Sequence, residues 1–401
     1  MKNNEIRLLL VLPFFYPHRG GSQKYAEEIY ATMIKNHPNL KVDVLCYNSD
    51  RTVGYEEYRG FRIYRVPCIT FIPARFLLPN PLYLIPALVK LSRNHYHFVN
   101  THIRFFDPTW WLWIYAKIIG AKSIFTGHVA THPVYQNKIV ENISKFVDLT
   151  IASFSLSFYD YITFTNKAVQ KFFREKLRLR KESYIVYGGV DTNYFTPSNK
   201  TNRVLSKLNI PIADDVVLVT YVGRLIWTKG ITYLYDAIKE VLKVQEAKNT
   251  LFVLGGPGEL ETEMKNLIQQ DGLENKVLLT GDLKYDQVKE LLGISDIFIN
   301  PSHHNEGFPN TVLEAGSAGC YVIATDNAGT REVLRNGETG TLVPQKNSKA
   351  FEEAITWALT HKEERQKIAD NFRQELIIGF DWKVISEQLY TLLKQGLIIK
   401  E

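Results

Sequence analysis

Cysteine is scarce in this chain: Cys46, Cys68 and Cys320 are the only three in 401 residues, scattered and without a C-x-x-C. That pattern supplies neither a disulfide framework nor a zinc-ligand set, and it fits a reducing compartment. Long apolar runs are missing too, since no uncharged stretch reaches the roughly 18–20 residues that span a bilayer. Residues 8–15 are apolar, but Glu5 precedes them and no small-residue cleavage site follows. They read as a first strand and not as a signal peptide. No internal repeat or low-complexity tract occurs. Neither sign of charge dominates: 48 Lys and Arg against 42 Asp and Glu give +6, with a pI near 8.9. This mild basic excess favours anionic partners and does not call for nucleic acid.

What remains is ordinary globular material, 45% hydrophobic and 22% charged, long enough for two domains with separate cores. Apolar runs alternate with helical periodicity, which predicts α/β architecture with parallel sheets. Strands are expected at 6–12, 42–46, 61–66, 98–101, 123–125 and 161–164, then at 216–222, 251–254, 277–280, 297–299 and 321–324. Helices are expected at 22–36, 166–180, 348–378 and 381–394, with a polar linker at 199–214. Residues 142–158 show no clean period.

The chemistry concentrates after the strand at 297–299. There Pro301 and Ser302 lead into Glu306, Gly307, Phe308, Pro309 and Asn310, and a small-residue helix carries Glu314 eight positions beyond Glu306. Pro309 reads as a first-turn proline, and such a helix start offers backbone N–H groups to an anion or a polyhydroxylated ligand. A second constellation, Gly223-Arg224 with Lys229-Gly230, follows the strand at 216–222 and supplies two cations suited to a leaving diphosphate. Gly20-Gly21 sits between the first strand and first helix; it is not G-x-G-x-x-G, so dinucleotide binding is disfavoured. His128 follows the strand at 123–125, with His102 and His132 as competitors. His303-His304-x-Glu306 has no helical H-x-x-x-H and no further ligand, so no metal site is expected.

The strings from Pro301 to Ala315, from Gly223 to Gly230 and from Ile185 to Phe195 together resemble retaining glycosyltransferases of family 4. In the last string Tyr187-Gly188 stands where the family usually has Pro-Asn. The resemblance implies a GT-B fold, with two Rossmann-like α/β/α domains facing each other across a deep cleft. It implies an N-terminal domain over 1–195, a nucleotide-sugar domain over 196–380, and a last helix from about 381 packing back on the first domain. It further implies donor contacts by Gly20, Gly21, Gly281, Leu283, Glu306, Gly307, Phe308, Pro309, Asn310 and Glu314. Arg224 and Lys229 would take the diphosphate, Glu314 the ribose and Glu306 the donor sugar. Catalytic roles would fall to Glu306, His128, Arg224 and Lys229, with no metal and no cofactor.

The alternatives on the same fold are an epimerase, a glycan phosphorylase, or a non-catalytic nucleotide-sugar-binding protein. A phosphorylase wants a far longer chain with a cofactor lysine. Loss of Arg224, Lys229 or either carboxylate would mark the non-catalytic case, and all four are present. The acceptor is read from residues 71–130, where six Lys or Arg and one Asp interleave with Phe71, Tyr83, Trp110, Trp111 and Trp113. Aromatics beside cations suit a headgroup layer. The basic stretch 167–181, with Phe172 and Phe173, adds to it, while Pro73, Pro79, Pro81 and Pro86 are expected to break any long amphipathic helix. A cytoplasmic protein attached peripherally to the membrane, with a glycan or lipid-linked saccharide as acceptor, is the expectation.

Overall fold

The computed structural model describes residues 5–18, 20–48, 54–72, 76–132, 138–198, 203–205, 210–303 and 308–398. The chain divides into two units, Met1–Gly188 with Trp382–Glu401, and Gly189–Asp381. The division falls before 195/196 because Phe195 is fully buried among Val288, Leu313 and Phe372 of the second unit. Asp191 starts that segment with an Asx turn, its Oδ1 accepting from the N–H groups of Asn193 and Tyr194 at 3.0 Å each. The outgoing and returning chain are pinned together, since Val190 N–H donates to the Phe380 carbonyl at 2.9 Å and Thr192 Oγ1 to Asp381 Oδ2 at 2.5 Å.

The first unit holds an eight-stranded sheet in the order Tyr184–Ile185, Tyr161–Phe164, Lys122–Gly127, Phe98–His102, Ile6–Leu12, Leu40–Tyr47, Phe61–Val66, Tyr55–Tyr58. All neighbours are parallel except the last pair, a hairpin. The central strand Ile6–Leu12 is apolar on both faces because helices cover both. One cover is helix Gly21–Asn36, whose Tyr25, Ile29 and Met33 share a core with Trp382, Ile385, Leu389 and Leu393 of the last helix, Trp382–Ile398. His37 stacks on Tyr390 at 3.5 Å in the same contact.

The second unit holds a six-stranded, wholly parallel sheet in the order Val277–Gly281, Thr250–Gly255, Val217–Val222, Ile297–Asn300, Tyr321–Thr325, Thr341–Val343. Within the stretch expected to be linker, Arg203–Leu205 and Ile210–Ile212 pair as a small antiparallel ribbon.

The proline-rich stretch holds one short helix that tolerates Pro86: Pro81–Ser92, 12 residues, started by Pro81 at its first turn and capped by Asn80, whose Oδ1 accepts from Leu82 N–H at 3.0 Å. The helical patterns over 348–378 resolve into two helices, Ser348–Thr360 and Lys362–Gly379. Trp110, Trp111 and Trp113 are half-buried. Trp111 Nε1 donates to Asp107 at 2.9 Å, and Trp113 stacks on Phe158 at 4.3 Å, so their rings are spent on packing. Within 71–130 the exposed apolar side chains are Phe71 (58% exposed), Leu82 (80%), Tyr83, Ile85, Val89, Ile114 and Ile118 (78%), and beyond it Ile139 (70%), Ile143, Phe146 and Phe154 are exposed as well. Among the described residues no helix is long and apolar enough to cross a membrane.

Candidate active site

In the second sheet, Val217–Val222 lies between Thr250–Gly255 and Ile297–Asn300, so successive connections leave on opposite sides of it. A crevice opens at the carboxyl ends of strands where that reversal occurs. Gly223 and Arg224 follow one of these strands, and Pro301 and Ser302 follow the other. The two loops touch. Gly230 has φ +70°, and a Cβ there would sit 2.1 Å from the Pro301 carbonyl oxygen. Only glycine allows the loop carrying Arg224 and Lys229 to lie so close to the one leading toward Glu306. His303 N–H then donates to the Thr228 carbonyl at 3.2 Å, and its ring lies beside those of Trp227 and Tyr233.

A third loop joins them. Gly256, at φ +132°, would place a Cβ 2.1 Å from the Gly223 carbonyl oxygen, and its N–H donates to the Gly281 carbonyl at 2.9 Å. Leu283 packs over Gly255. Arg224, Lys229, Gly281 and Leu283, far apart in sequence, therefore belong to one edge of one sheet. Arg224 is exposed and Lys229 half-buried.

The carboxylate helix is Asn310–Ser317, one residue shorter at its start than a first-turn Pro309 would require. Pro309 is buried and precedes the helix. The N–H of Asn310 is taken by the Phe308 carbonyl at 3.0 Å, so it is not aimed outward as the sequence suggested. Phe308 is half-buried, its ring 6.2 Å from that of Phe380. Glu314 is 6% exposed on this helix. His304, Glu306 and Gly307 lie outside the described residues. Among the described residues no group of three or more His, Cys, Asp or Glu is placed to hold a metal ion.

Sequence reasoning missed the cluster that braces the Pro301-Ser302 turn. Asn327 Oδ1 accepts from the N–H groups of Gly329 and Thr330 at 3.0 Å each, and Thr330 Oγ1 donates to the Thr325 carbonyl at 2.5 Å. Thr325 Oγ1 in turn donates to the Ser302 carbonyl. An Asn two residues past a strand, followed by Ala-Gly-Thr, is the local signal for such a turn.

The first sheet repeats the geometry. Ile6–Leu12 lies between Leu40–Tyr47 and Phe98–His102, so the reversal falls beside the carboxyl end that carries His102. Gly20 is the extended N-cap of helix Gly21–Asn36. A Cβ on Gly20 would meet Gln23 Oε1 at 2.3 Å, whereas one on Gly21 would meet nothing within 4 Å.

Here the three histidines separate. His132 Nδ1 is 2.6 Å from Asp148 Oδ2, and that carboxylate also receives Arg104 Nε at 2.5 Å. Arg104 is buried over Phe105, Phe172 and Phe173 and donates to the carbonyls of Val129 and Thr131. His132 is therefore part of a latch that holds its own loop. His102 is buried, with Nε2 2.6 Å from Asn100 Oδ1 and Nδ1 2.9 Å from His128 Nε2. His128 is half-buried, with the edge of Tyr25 against it at 5.0 Å. Burial, with the neighbouring His128 second, holds His102 well below the usual imidazole pKa. Burial alone takes His128 down to about 3. Both rings are neutral at physiological pH.

Two family models match the chain, "Glycosyltransferase Family 4" over residues 19–194 and "Glycosyl transferases group 1" over residues 206–375. An uncharacterised glycosyltransferase of Methanocaldococcus jannaschii is 23% identical over 384 residues, covering 94% of this chain and 96% of its own. A phosphatidylinositol N-acetylglucosaminyltransferase component from Arabidopsis thaliana is 24% identical over 360 residues, covering 88% of this chain and 75% of its own. Among solved structures, HepE of Anabaena in complex with UDP superposes with a TM-score of 0.76 at 18% identity, over 97% of this chain and 100% of that one. The fold is GT-B. Each unit thus answers to its own model, and the chain belongs to the family 4, group 1 glycosyltransferases.

Proposed function

We propose that the protein transfers a hexosyl or N-acetylhexosaminyl group, with retention and without a metal, from a nucleotide sugar to a hydroxyl of a glycan or lipid-linked saccharide. The setting would be cell-surface polysaccharide or glycoconjugate synthesis. The observation that carries this reading is the meeting of the Arg224–Gly230 and Pro301–His303 loops at the strand-order reversal of the second sheet, enforced by Gly230 against the Pro301 carbonyl. Two cations at the mouth of such a crevice can neutralise charge as a diphosphate leaves, the task a divalent ion performs elsewhere. Arg supplies a planar fork and Lys a point charge. Glu314 binds the ribose hydroxyls, and Glu306, with backbone N–H groups of Gly307 and Phe308, binds the donor sugar. Gly20 and Gly21 let the backbone approach the phosphates closely. His128, not His102 or His132, meets a sugar hydroxyl, because it is half-buried with no partner for Nδ1 among the described residues, whereas His102 is buried with both ring nitrogens bonded and His132 is held by Asp148. For retention, the acceptor attacks the face the leaving group departs from, and a leaving phosphate oxygen takes the acceptor proton.

The neighbour solved with UDP supports a nucleotide donor, and the phosphatidylinositol-glycosylating relative supports a lipid-borne acceptor. The exposed apolar side chains support attachment at a membrane surface. Ile139, Ile143 and Phe146 project from helix Lys138–Val147, which also carries Lys138 and Lys145. Apolar side chains settle at the headgroup boundary while each nearby cation gains about 1 kcal/mol on an anionic surface. The first experiment is a thermal-shift screen of UDP-, GDP- and ADP-linked sugars. A ligand at 100 times its Kd adds about 2.7 kcal/mol to the unit that binds it. A chain that binds none of them, and transfers from none, would defeat the proposal.

A further inference from the structure

We propose that Asn100 and His102 are positioning residues that hold His128 as its Nε2–H tautomer, so that its Nδ1 faces the carbohydrate as a hydrogen-bond acceptor. This rests on the reading of His128 as a substrate contact, and it makes that contact selective for a neutral group bearing a proton.

The argument is a chain of forced choices. Asn100 Nδ2 donates to the Ile124 carbonyl at 3.1 Å and to Thr126 Oγ1 at 3.2 Å, while the Tyr30 hydroxyl donates to Asn100 Oδ1 at 3.3 Å. The amide is therefore oriented, and Oδ1 has only lone pairs to offer. His102 Nε2, 2.6 Å from that oxygen, must carry the hydrogen. A neutral imidazole carries one, so His102 Nδ1 is bare. The 2.9 Å separation from His128 Nε2 is then bridged by a hydrogen on His128. That ring is neutral as well, which leaves its Nδ1 bare, and no partner for Nδ1 exists among the described residues. Burial keeps a second proton off both rings. The pair cannot swivel to exchange these roles. The rings stand at 25° to one another, and Tyr25 abuts His128 at 83°, itself tied through its hydroxyl to the Val186 carbonyl at 3.0 Å.

A bare Nδ1 accepts from a hydroxyl and repels the lone pairs of a carboxylate or phosphate oxygen. The sugar position that His128 reads is therefore a hydroxyl, neither the uronate carboxylate nor the diphosphate.

The test uses the full-length chain labelled with ¹⁵N-histidine, read by long-range ¹H–¹⁵N correlation, which reports the protonated nitrogen of each ring without substrate. Wild-type His102 and His128 are both expected as Nε2–H. Asn at position 102 retains an acceptor near the place of Nδ1, whereas Gln keeps only the distal group that meets Asn100. His102→Asn should preserve the His128 signature and keep kcat within about threefold of wild type. His102→Gln should give a mixed His128 tautomer and lower kcat about tenfold or more, with donor KM within about threefold, since an orienting partner acts on turnover through the tautomer. An Nδ1–H signature for wild-type His128, or a signature identical in His102→Gln, overturns the relay. His128→Ala at full turnover overturns the substrate contact instead, whatever the tautomers prove to be, so the two failures are told apart.

Discussion

Gly21→Ala separates a glycine kept for the fold from one kept for a ligand. Gly21 is the first residue of helix Gly21–Asn36, and the chain leaves empty the volume its Cβ would occupy. Its φ is not in the left-handed region, so alanine carries no backbone strain. On stability alone the substitution should be neutral or favourable by up to about 1 kcal/mol, because alanine loses less backbone entropy on entering a helix. For a ligand the sign reverses. A methyl placed between a backbone N–H and a phosphate oxygen removes a hydrogen bond to a charged group, about 1.5–3 kcal/mol, or roughly 10- to 150-fold in affinity. The assay pairs a urea midpoint without ligand with the donor KM and kcat/KM. The expected result is an unchanged or raised midpoint with kcat/KM lower by about tenfold or more. Wild-type kinetics would show that nothing approaches Gly21, and a lowered midpoint would show that the space is not free.

Other perturbations address the remaining assignments. Glu306→Ala should cut turnover strongly while the free nucleotide still binds, and Glu314→Ala should weaken the nucleotide itself by about 1.5–3 kcal/mol, read by calorimetry; normal turnover in Glu306→Ala would remove it from the site. Arg224→Ala or Lys229→Ala should cost orders of magnitude in rate, and EDTA should leave the wild type unchanged; activity lost to EDTA and restored by a divalent ion would replace the cation pair with a metal. Ile143→Asp with Phe146→Asp should abolish flotation with anionic liposomes at low salt while kcat on a soluble acceptor holds, and flotation unaffected by both changes would discard that face. Stability should fall as pH drops below about 6.5, because unfolded imidazoles take up protons that the folded His128 refuses until about pH 3. Each such ring contributes up to about 1.4 kcal/mol per pH unit over that range. Asp107, raised by burial to about 6, acts in the opposite sense between about pH 4 and 6. His128→Gln should therefore make the acid limb of a pH–denaturation series shallower, and an unchanged slope would count against a neutral buried ring.

The sequence is most legible where burial is total. Runs such as Val217–Val222 and Ile297–Asn300 are apolar on every residue or nearly so, and neighbouring loops with glycine and charge at fixed spacing mark the second sheet's edge. Legibility fails where apolar residues face outward or charges sit in strands. Tyr55–Tyr58 reads Y-E-E-Y and carries no apolar run, yet it pairs as an edge strand, with Glu57 exposed and Glu56 on the other face paired with buried Arg65. Helix Lys138–Val147 shows Ile139, Ile143 and Phe146 at helical spacing, but that stripe is exposed, so no core confirms the period. Spacing alone does not rank the three histidines. Their difference lies in Asp148, which reaches His132 from another element, and in Asn100, two residues before His102 on the same strand.

The closing helix has a consequence for how the molecule is made. Trp382–Ile398 completes the core against Tyr25, Ile29 and Met33, and Tyr25 in turn abuts His128. The ribosome delivers the second unit, roughly 190 residues, between the first unit and its missing helix. At about 5–20 residues per second that interval lasts on the order of 10–40 s. During it the nascent first unit carries an uncovered apolar groove along helix Gly21–Asn36, while the uninterrupted second unit can finish folding. The second unit is therefore ready before the half bearing His128, and a chain stalled short of Trp382 would expose the groove to chaperones and proteases.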